Sequence, residues 1–317
     1  MAESENFIVG EMISVIHMAH VEVSFPGEKF LVRYFKFYSI HFHYHLLKFS
    51  WILGYINTMG QTKVKTIGIF DSGIGGFSIL KEIHQIAPQL NVFYVADEQY
   101  APYGEKKKSE IIERSKLIVD ELLKQSVDLI VVACNTATAM AIDELRKCYS
   151  IPFVGVEPFV NALSKLEWQS DDKACVITTE LMSTSARFQG LKDRYDSDKK
   201  LDYFVTKNLA ALIEKFYADQ DEQSLERSLV SEFSFLDTKS YTHIILGCTH
   251  YPLIGQQISK VTGLETLSPC SFVADRVFDL LKDDLVKNSS PKSSFQFSKT
   301  NGPFPLCFVS KGFAQLP

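Results

Sequence analysis

The chain has 317 residues, 46% of them hydrophobic and 22% charged, a balance that argues against a disordered or fibrous protein and supplies apolar surface for one large or two ordinary cores. Its 33 basic and 38 acidic residues give a formal charge of −5, and no cluster of Lys or Arg marks a nucleic-acid or anionic-membrane surface. Six cysteines, at 134, 148, 175, 248, 270 and 307, stand singly with no C-x-x-C pair, which argues against a zinc module or a compact disulfide framework and suits a reducing cytoplasm. What remains is a soluble globular protein acting on a small molecule.

Residues 1–58 differ from the rest. They hold five of the eight histidines (His17, His20, His41, His43 and His45) and an aromatic-rich run from Tyr34 to Tyr55 without clean helical or strand periodicity. The most apolar piece, LLKFSWILGYI at 46–56, is shorter than the about 20 residues a membrane helix needs and contains Lys48. No cleavage pattern follows a basic segment, so a signal peptide is not expected. HFHYH has a spacing too weak to define a metal tract and reads as an incidental cluster. Met59 opens a stretch that looks like a natural protein start, so residues 1–58 are expected to come from an upstream start codon and to stand outside the working domain.

From there the pattern is regular. KTIGIF (65–70) is a short apolar run ending in DSGIGG, and FSILKEIHQIA continues with Phe77, Leu80, Ile83, His84 and Ala87 at helical spacing, so strand, glycine loop and helix are predicted. NVFYVAD (91–97) reads as a second strand, followed by the irregular EQYAPYGEKK. In SEIIERSKLIVDELLKQ (109–125), Ile111, Ile112, Ser115, Ile118, Val119, Leu122 and Leu123 share one helical face. Next come DLIVVA, a cysteine loop, the helix TAMAIDELRK and the strand PFVGV. The pattern restarts in ACVITT, passes through helical LAALIEKFYA and SLERSLVSEF, and returns in THIILG. After Pro269 a helix, ADRVFDLLKDDL, leads through polar KNSSPKSS to FPLCFVS, expected as a late strand returning to the first half.

Near-continuously apolar strands alternating with helices predict parallel sheets covered on both faces, in two similar α/β halves. The expected division is 59–158 with 269–317 as the first domain and 159–268 as the second. In such sheets ligands bind beyond the carboxyl ends of strands. Asp71, Cys134 and Cys248 each fall just past such an end, so one cleft can hold all three.

A thiol between a strand and a helix start faces unpaired N–H groups and a positive dipole end, which favour thiolate. Free cysteines are more often small buried hydrophobes, and Cys148, Cys175, Cys270 and Cys307 read that way. Cys134 and Cys248 do not, because each is followed by small polar residues (Asn135 and Thr136; Thr249 and His250) that a core would not select. Those side chains, with the DSGIGG loop at another helix N-terminus, are donors suited to a carboxylate. As a nucleotide fingerprint the loop fails, since Ser78 stands where a third glycine is needed. Asp71 alone reads equally as a turn residue, and His250 alone as a structural histidine. Beside two thiols they read as helpers. Two thiols facing each other across a small carboxylate-binding cleft suit removal of a proton on one side and its return on the other, each acid or base contributing roughly 10²- to 10⁴-fold. No lysine site for pyridoxal phosphate is evident, so no cofactor and no metal are expected.

FDSGIGG (70–76), PYG (102–104), ACNTATA (133–139) and GCTHYP (247–252) together resemble glutamate racemase, of the aspartate/glutamate racemase superfamily, over residues 64 to about 280. The resemblance implies cofactor-free interconversion of L- and D-glutamate for peptidoglycan synthesis, in a cytoplasmic enzyme whose possible assembly is a homodimer. It implies that Cys134 acts on the proton of D-glutamate and Cys248 on that of L-glutamate, assisted by Asp71 and His250 respectively. Ser72, Tyr103, Gly104, Asn135, Thr136, Thr179 and Thr249, together with Asp71 and His250, would hold the substrate. It also implies two pseudo-symmetric α/β domains with the site in the cleft between them. The chain departs from the family pattern in TKNLAALIE, which keeps Glu214 but lacks a Cys-Pro pair, at Met182, and at Pro158, one position early. A superfamily enzyme for aspartate, hydantoins or maleate, and a non-catalytic binding protein, are the competing readings. A cysteine hydrolase would leave the second thiol unexplained.

Overall fold

The computed structural model describes residues 17–25, 28–36, 65–161, 164, 167–168, 172–285, 295–299 and 309–310. The chain forms two compact units, Met1–Thr62 and Lys63–Pro317. In the first, β1 (His17–Phe25) and β2 (Glu28–Lys36) pair antiparallel, in a stretch where no strand was expected. The histidine cluster His41, His43 and His45 and the run 46–56 lie outside the described residues.

The second unit carries two sheets. One contains β3 (Thr66–Asp71), β4 (Asn91–Ala96), β5 (Leu129–Val132) and β6 (Phe153–Gly155), joined by β11 (Phe295–Lys299) and β12 (Val309–Ser310). The other contains β7 (Ala174–Thr178), β8 (Leu201–Val205), β9 (His243–Leu246) and β10 (Glu265–Leu267). Strand order is β12-β11-β4-β3-β5-β6 in the first and β10-β9-β7-β8 in the second. Taken from the second strand of each half, the shared orders are β4-β3-β5-β6 and β8-β7-β9-β10, and all these pairings are parallel. The halves are therefore copies of one topology, with two pseudo-symmetric domains as expected.

Continuous apolar runs form these strands because both faces are covered. Along β5, Leu129 and Val131 pack on the side of α1 (Phe77–Ile86) and α9 (Cys270–Leu285), while Ile130 and Val132 pack on the side of α2 (Lys108–Leu123) and α3 (Asn135–Cys148). The period of two assigns successive side chains to opposite cores. β9 repeats this: Ile244 and Leu246 meet α6 (Leu209–Asp219), α7 (Glu222–Glu232) and α8 (Gly255–Thr262), whereas Ile245 meets α5 (Ala186–Tyr195) and Met182 of α4 (Glu180–Ser183).

The chain's end returns to the first sheet as expected, with one further strand that was not foreseen. FQFSK runs parallel to β4 from Phe295 to Lys299, and the described part of FPLCFVS, Val309–Ser310, pairs antiparallel to β11. Among the described residues no helix is long and apolar enough to cross a membrane.

Candidate active site

In a sheet ordered 2-1-3-4 the first and third strands lead connections to opposite sides, opening a crevice at their carboxyl ends. Here those strands are β3 with β5, and β7 with β9. Ala133 N–H donates to Phe70 O at 2.8 Å, and Gly247 N–H donates to Ile177 O at 2.8 Å. Cys134 and Cys248 each follow by one residue, so the two thiols hold equivalent places at two equivalent crevices. Both are buried, at 6% and 9% exposure, and Cys248 is near enough to act electrostatically on Cys134.

Around Cys134 the groups come from the DSGIGG loop. Ser72 Oγ lies 3.7 Å from the sulfur and donates to Asp71 Oδ1 at 3.2 Å, while Ser72 N–H donates to the same oxygen at 2.6 Å. Asp71 is fully buried, and burial pushes its carboxyl above the ordinary 3.8, opposed by the charge of His250 and the Ser72 N–H. Cys134 caps α3, with Ala137 N–H 3.5 Å from its sulfur. The sequence argument that such a helix start favours thiolate holds in direction but not in sum. Burial and the neighbouring Asp71 charge outweigh the helix N–H and push the thiol well above its usual range, so Cys134 rests protonated.

Around Cys248 the arrangement differs. His250 Nδ1 lies 3.8 Å from the sulfur, and His250 Nε2 lies 2.7 Å from Glu214 Oε1. Burial alone would lower the imidazole, but its bonds with Cys248 and Glu214 overcome this and raise it well above 6.5. Glu214, on α6, is the functional residue absent from the sequence-derived site. Its Oε1 also accepts Ile74 N–H at 3.0 Å, so a donor of the glycine loop expected to serve a ligand is taken by this protein carboxylate.

The two halves meet at these loops. Thr249 Oγ1 donates to Asp71 Oδ2 at 3.2 Å, and Ser78 Oγ donates to Thr249 O at 2.9 Å and Gly75 O at 2.8 Å. A methyl group on Gly75 would stand 2.7 Å from Asp71 Oδ2 and from Thr249 Oγ1 and closer still to His250, so glycine is required by close approach. Tyr94, fully buried on β4, braces the loop by donating to Gly73 O at 2.9 Å.

The remaining expected residues divide. Asn135 Nδ2 and Thr179 Oγ1 are buried with no hydrogen-bond partner among the described residues, and a buried donor without a partner is most simply explained by a ligand or ordered water that completes it. Thr136 is buried at the start of α3, and Gly104 is exposed with open space where a Cβ would stand. Tyr103 is the exception: its hydroxyl donates to Asp97 Oδ2 at 2.7 Å, inside the fold. Asp97, buried on both oxygens, also takes a two-pronged contact from Arg114 at 2.7 and 2.5 Å. The Tyr103 side chain therefore anchors its loop.

Among the described residues no three His, Cys, Asp or Glu side chains gather as a metal site. Cys134, Cys148, Cys175, Cys248 and Cys270 are free thiols, and Cys307 lies outside the described residues. A cavity of about 590 Å³ lined by Ser78, Lys81, His84, Tyr217, Leu253 and Cys270 contains neither site thiol. It adjoins the site through Ser78.

The sequence model of the Asp/Glu/hydantoin racemase family matches residues 67–277. A glutamate racemase of Clostridium botulinum (strain Kyoto / Type A2) is 35% identical over 198 residues, covering 62% of this chain and 76% of its own. Escherichia coli glutamate racemase, solved with L-glutamate and the activator UDP-MurNAc-ala, superposes with TM-score 0.64 at 28% identity, over 69% of this chain and 83% of that one. Glutamate racemase of Francisella tularensis, solved with D-glutamate, gives TM-score 0.63 at 26% identity, over 75% and 89%. Matching motifs, like-ordered sheets and this family match agree: the chain belongs to the Asp/Glu/hydantoin racemase family and is an isomerase of the amino-acid racemase type.

Proposed function

We propose that the chain interconverts L- and D-glutamate, with Cys248 and Cys134 as the two acid/base groups. The observation that carries this reading is the pair of buried thiols at equivalent crevice positions, Cys248 near enough to act electrostatically on Cys134, each with its own helper, Ser72 and Asp71 or His250 and Glu214. Relatives solved with L-glutamate and with D-glutamate support the substrate.

In the L to D direction the Cys248 thiolate takes the α-proton, and the electron pair left on the α-carbon spreads into the adjacent carboxylate. The Cys134 S–H delivers its proton to the opposite face. The product is the mirror image, with Cys248 now a thiol and Cys134 a thiolate, and the reverse reaction uses the same groups in exchanged roles. Two features favour this assignment: burial keeps Cys134 protonated at rest, and the raised His250 presents positive charge to the Cys248 sulfur. Asn135 Nδ2, Thr179 Oγ1 and the Gly104 backbone supply donors for the substrate carboxylates, where donors fixed in advance in a dry site are most effective. Both proton transfers are assigned to side chains, without cofactor.

The domain division that goes with this reading is 59–158 with 269–317, and 159–268, with residues 1–58 outside the reaction. The cellular role is supply of D-glutamate to peptidoglycan in the cytoplasm. Circular dichroism of L-glutamate incubated with the protein tests the activity: the signal decays to zero as the racemate forms. A signal that persists for glutamate but decays for aspartate would replace the substrate.

A further inference from the structure

Cys134 and Cys248 hold equivalent places but are anchored by different means. α3 begins directly after Cys134, and its N–H at Ala137 reaches the sulfur. After Cys248 no α-helix starts until Gly255; the chain instead passes through Thr249 and His250 into a short 3₁₀ turn, Tyr251–Ile254. Something other than a helix N-terminus must fix the second thiol.

That role falls to a ring of hydrogen bonds. The Tyr251 side chain is fully buried, and its hydroxyl lies 2.6 Å from Thr206 Oγ1. Thr206 Oγ1 donates toward Thr178 O at 3.4 Å, so its lone pairs are available and the tyrosine O–H is the donor. Thr206 N–H donates to the same carbonyl at 2.9 Å. Thr178 Oγ1 donates to Gly247 O at 3.3 Å, and Tyr251 N–H donates to Cys248 O at 3.2 Å. The ring thus ties the ends of β7, β8 and β9 together around Cys248. No site residue read from the sequence includes Thr206 or Tyr251.

We propose that Tyr251 and Thr206 are positioning residues for the Cys248 thiol, holding the sulfur at the distance its proton transfer requires. The inference rests on the two-thiol reading above. It follows from the sensitivity of proton transfer to placement, since a misplacement of about 1 Å can cost about 100-fold, and from the absence of a helix cap on this side. The matching bond is not needed at Cys134, where α3 does the holding.

The test compares Tyr251→Phe, Thr206→Val and Thr206→Ser with the wild type and Cys248→Ser, in the full chain. Tyr251→Phe and Thr206→Val are each expected to lower kcat about 10- to 100-fold, Thr206→Ser to retain most of it, and the Phe/Val double variant to be no worse than either single one. Because the equilibrium constant of a racemase is one, kcat/KM falls equally in both directions, so isotope effects carry the discrimination. With α-deuterated L-glutamate, whose proton Cys248 removes, the effect on kcat/KM rises in Tyr251→Phe; with α-deuterated D-glutamate it falls. A general loosening of the fold would lower the melting temperature without that opposite movement. Retention of kcat within twofold with unchanged isotope effects, beside an inactive Cys248→Ser, would overturn the positioning role alone. Wild-type rates in Cys248→Ser would overturn the two-thiol reading and this inference with it.

Discussion

His250 Nε2 and Glu214 Oε1 are 2.7 Å apart, and the same carboxylate oxygen accepts Ile74 N–H from the other half of the unit. One carboxylate thus orients the imidazole beside Cys248 and holds the glycine loop beside Cys134. Glu214→Gln keeps the shape and removes the charge, so the His250 titration, followed by imidazole NMR, is expected to move downward. The sign for stability follows: a histidine whose folded pKa is raised contributes stability fully present below its unfolded value and lost as pH rises through the folded one. The destabilisation of Glu214→Gln should therefore be largest below about pH 6.5 and fade at higher pH. Allowing for solvent screening of a side chain 36% exposed, it amounts to about 1 kcal/mol. A loss that grows with pH would contradict the pairing.

Asp71 shows the opposite balance. Burial raises its carboxyl, so its ionised form costs folding free energy, and that cost grows as pH rises from the unfolded value through the folded one. Asp71→Asn is expected to stabilise the protein above that window, by about 1.4 kcal/mol for each unit of elevation, and to do nothing below it. Denaturant unfolding at several pH values measures this. Racemisation by the same variant should fall, the trade expected where a site is built at the expense of the fold.

Arg114 and Asp97 form the buried ion pair that secures the Tyr103 loop. The Asp97 side chain is fully buried and that of Arg114 is 14% exposed. Removing the cation by Arg114→Met strands a buried carboxylate and should cost about 3 kcal/mol. Adding Asp97→Asn should restore much of the loss, because no unpaired charge then remains. Urea midpoints of the two singles and the double decide it, and a double variant no better than Arg114→Met would sink the account.

Much of this was legible in the sequence because burial on both faces writes itself as a continuous apolar run: KTIGIF, DLIVVA and THIILG all became central strands. LDYFV at 201–205 was missed for the converse reason. It lies at the end of the strand order, only Leu201 of its five residues is buried, and three of the five are polar or half-exposed aromatic (Asp202, Tyr203 and Phe204), so it lacks the central-strand pattern. FQFSK, which aligns with β4, was missed because it is less apolar than the FPLCFVS that follows it. The thiols and Asp71 were legible from strand ends followed by small polar residues. Glu214 was visible only as a residue kept from the family pattern in TKNLAALIE; its bond to His250 and its link to Ile74, 140 positions away, were not. Nor does any local pattern say that Tyr103 turns its hydroxyl inward to Asp97 rather than toward a ligand.

The central claim is that two sulfurs serve one α-carbon from opposite sides, and labelling by solvent tests it most directly. L-glutamate is incubated in deuterium oxide and both enantiomers are analysed by chiral mass spectrometry at early times, beside Cys134→Ser and Cys248→Ser. Two monoprotic bases predict D-glutamate carrying one solvent deuterium, residual L-glutamate unlabelled, and almost no D-glutamate from either variant. Full racemisation by either single variant, or early label in the unreacted L-glutamate matching that in the product, would contradict it.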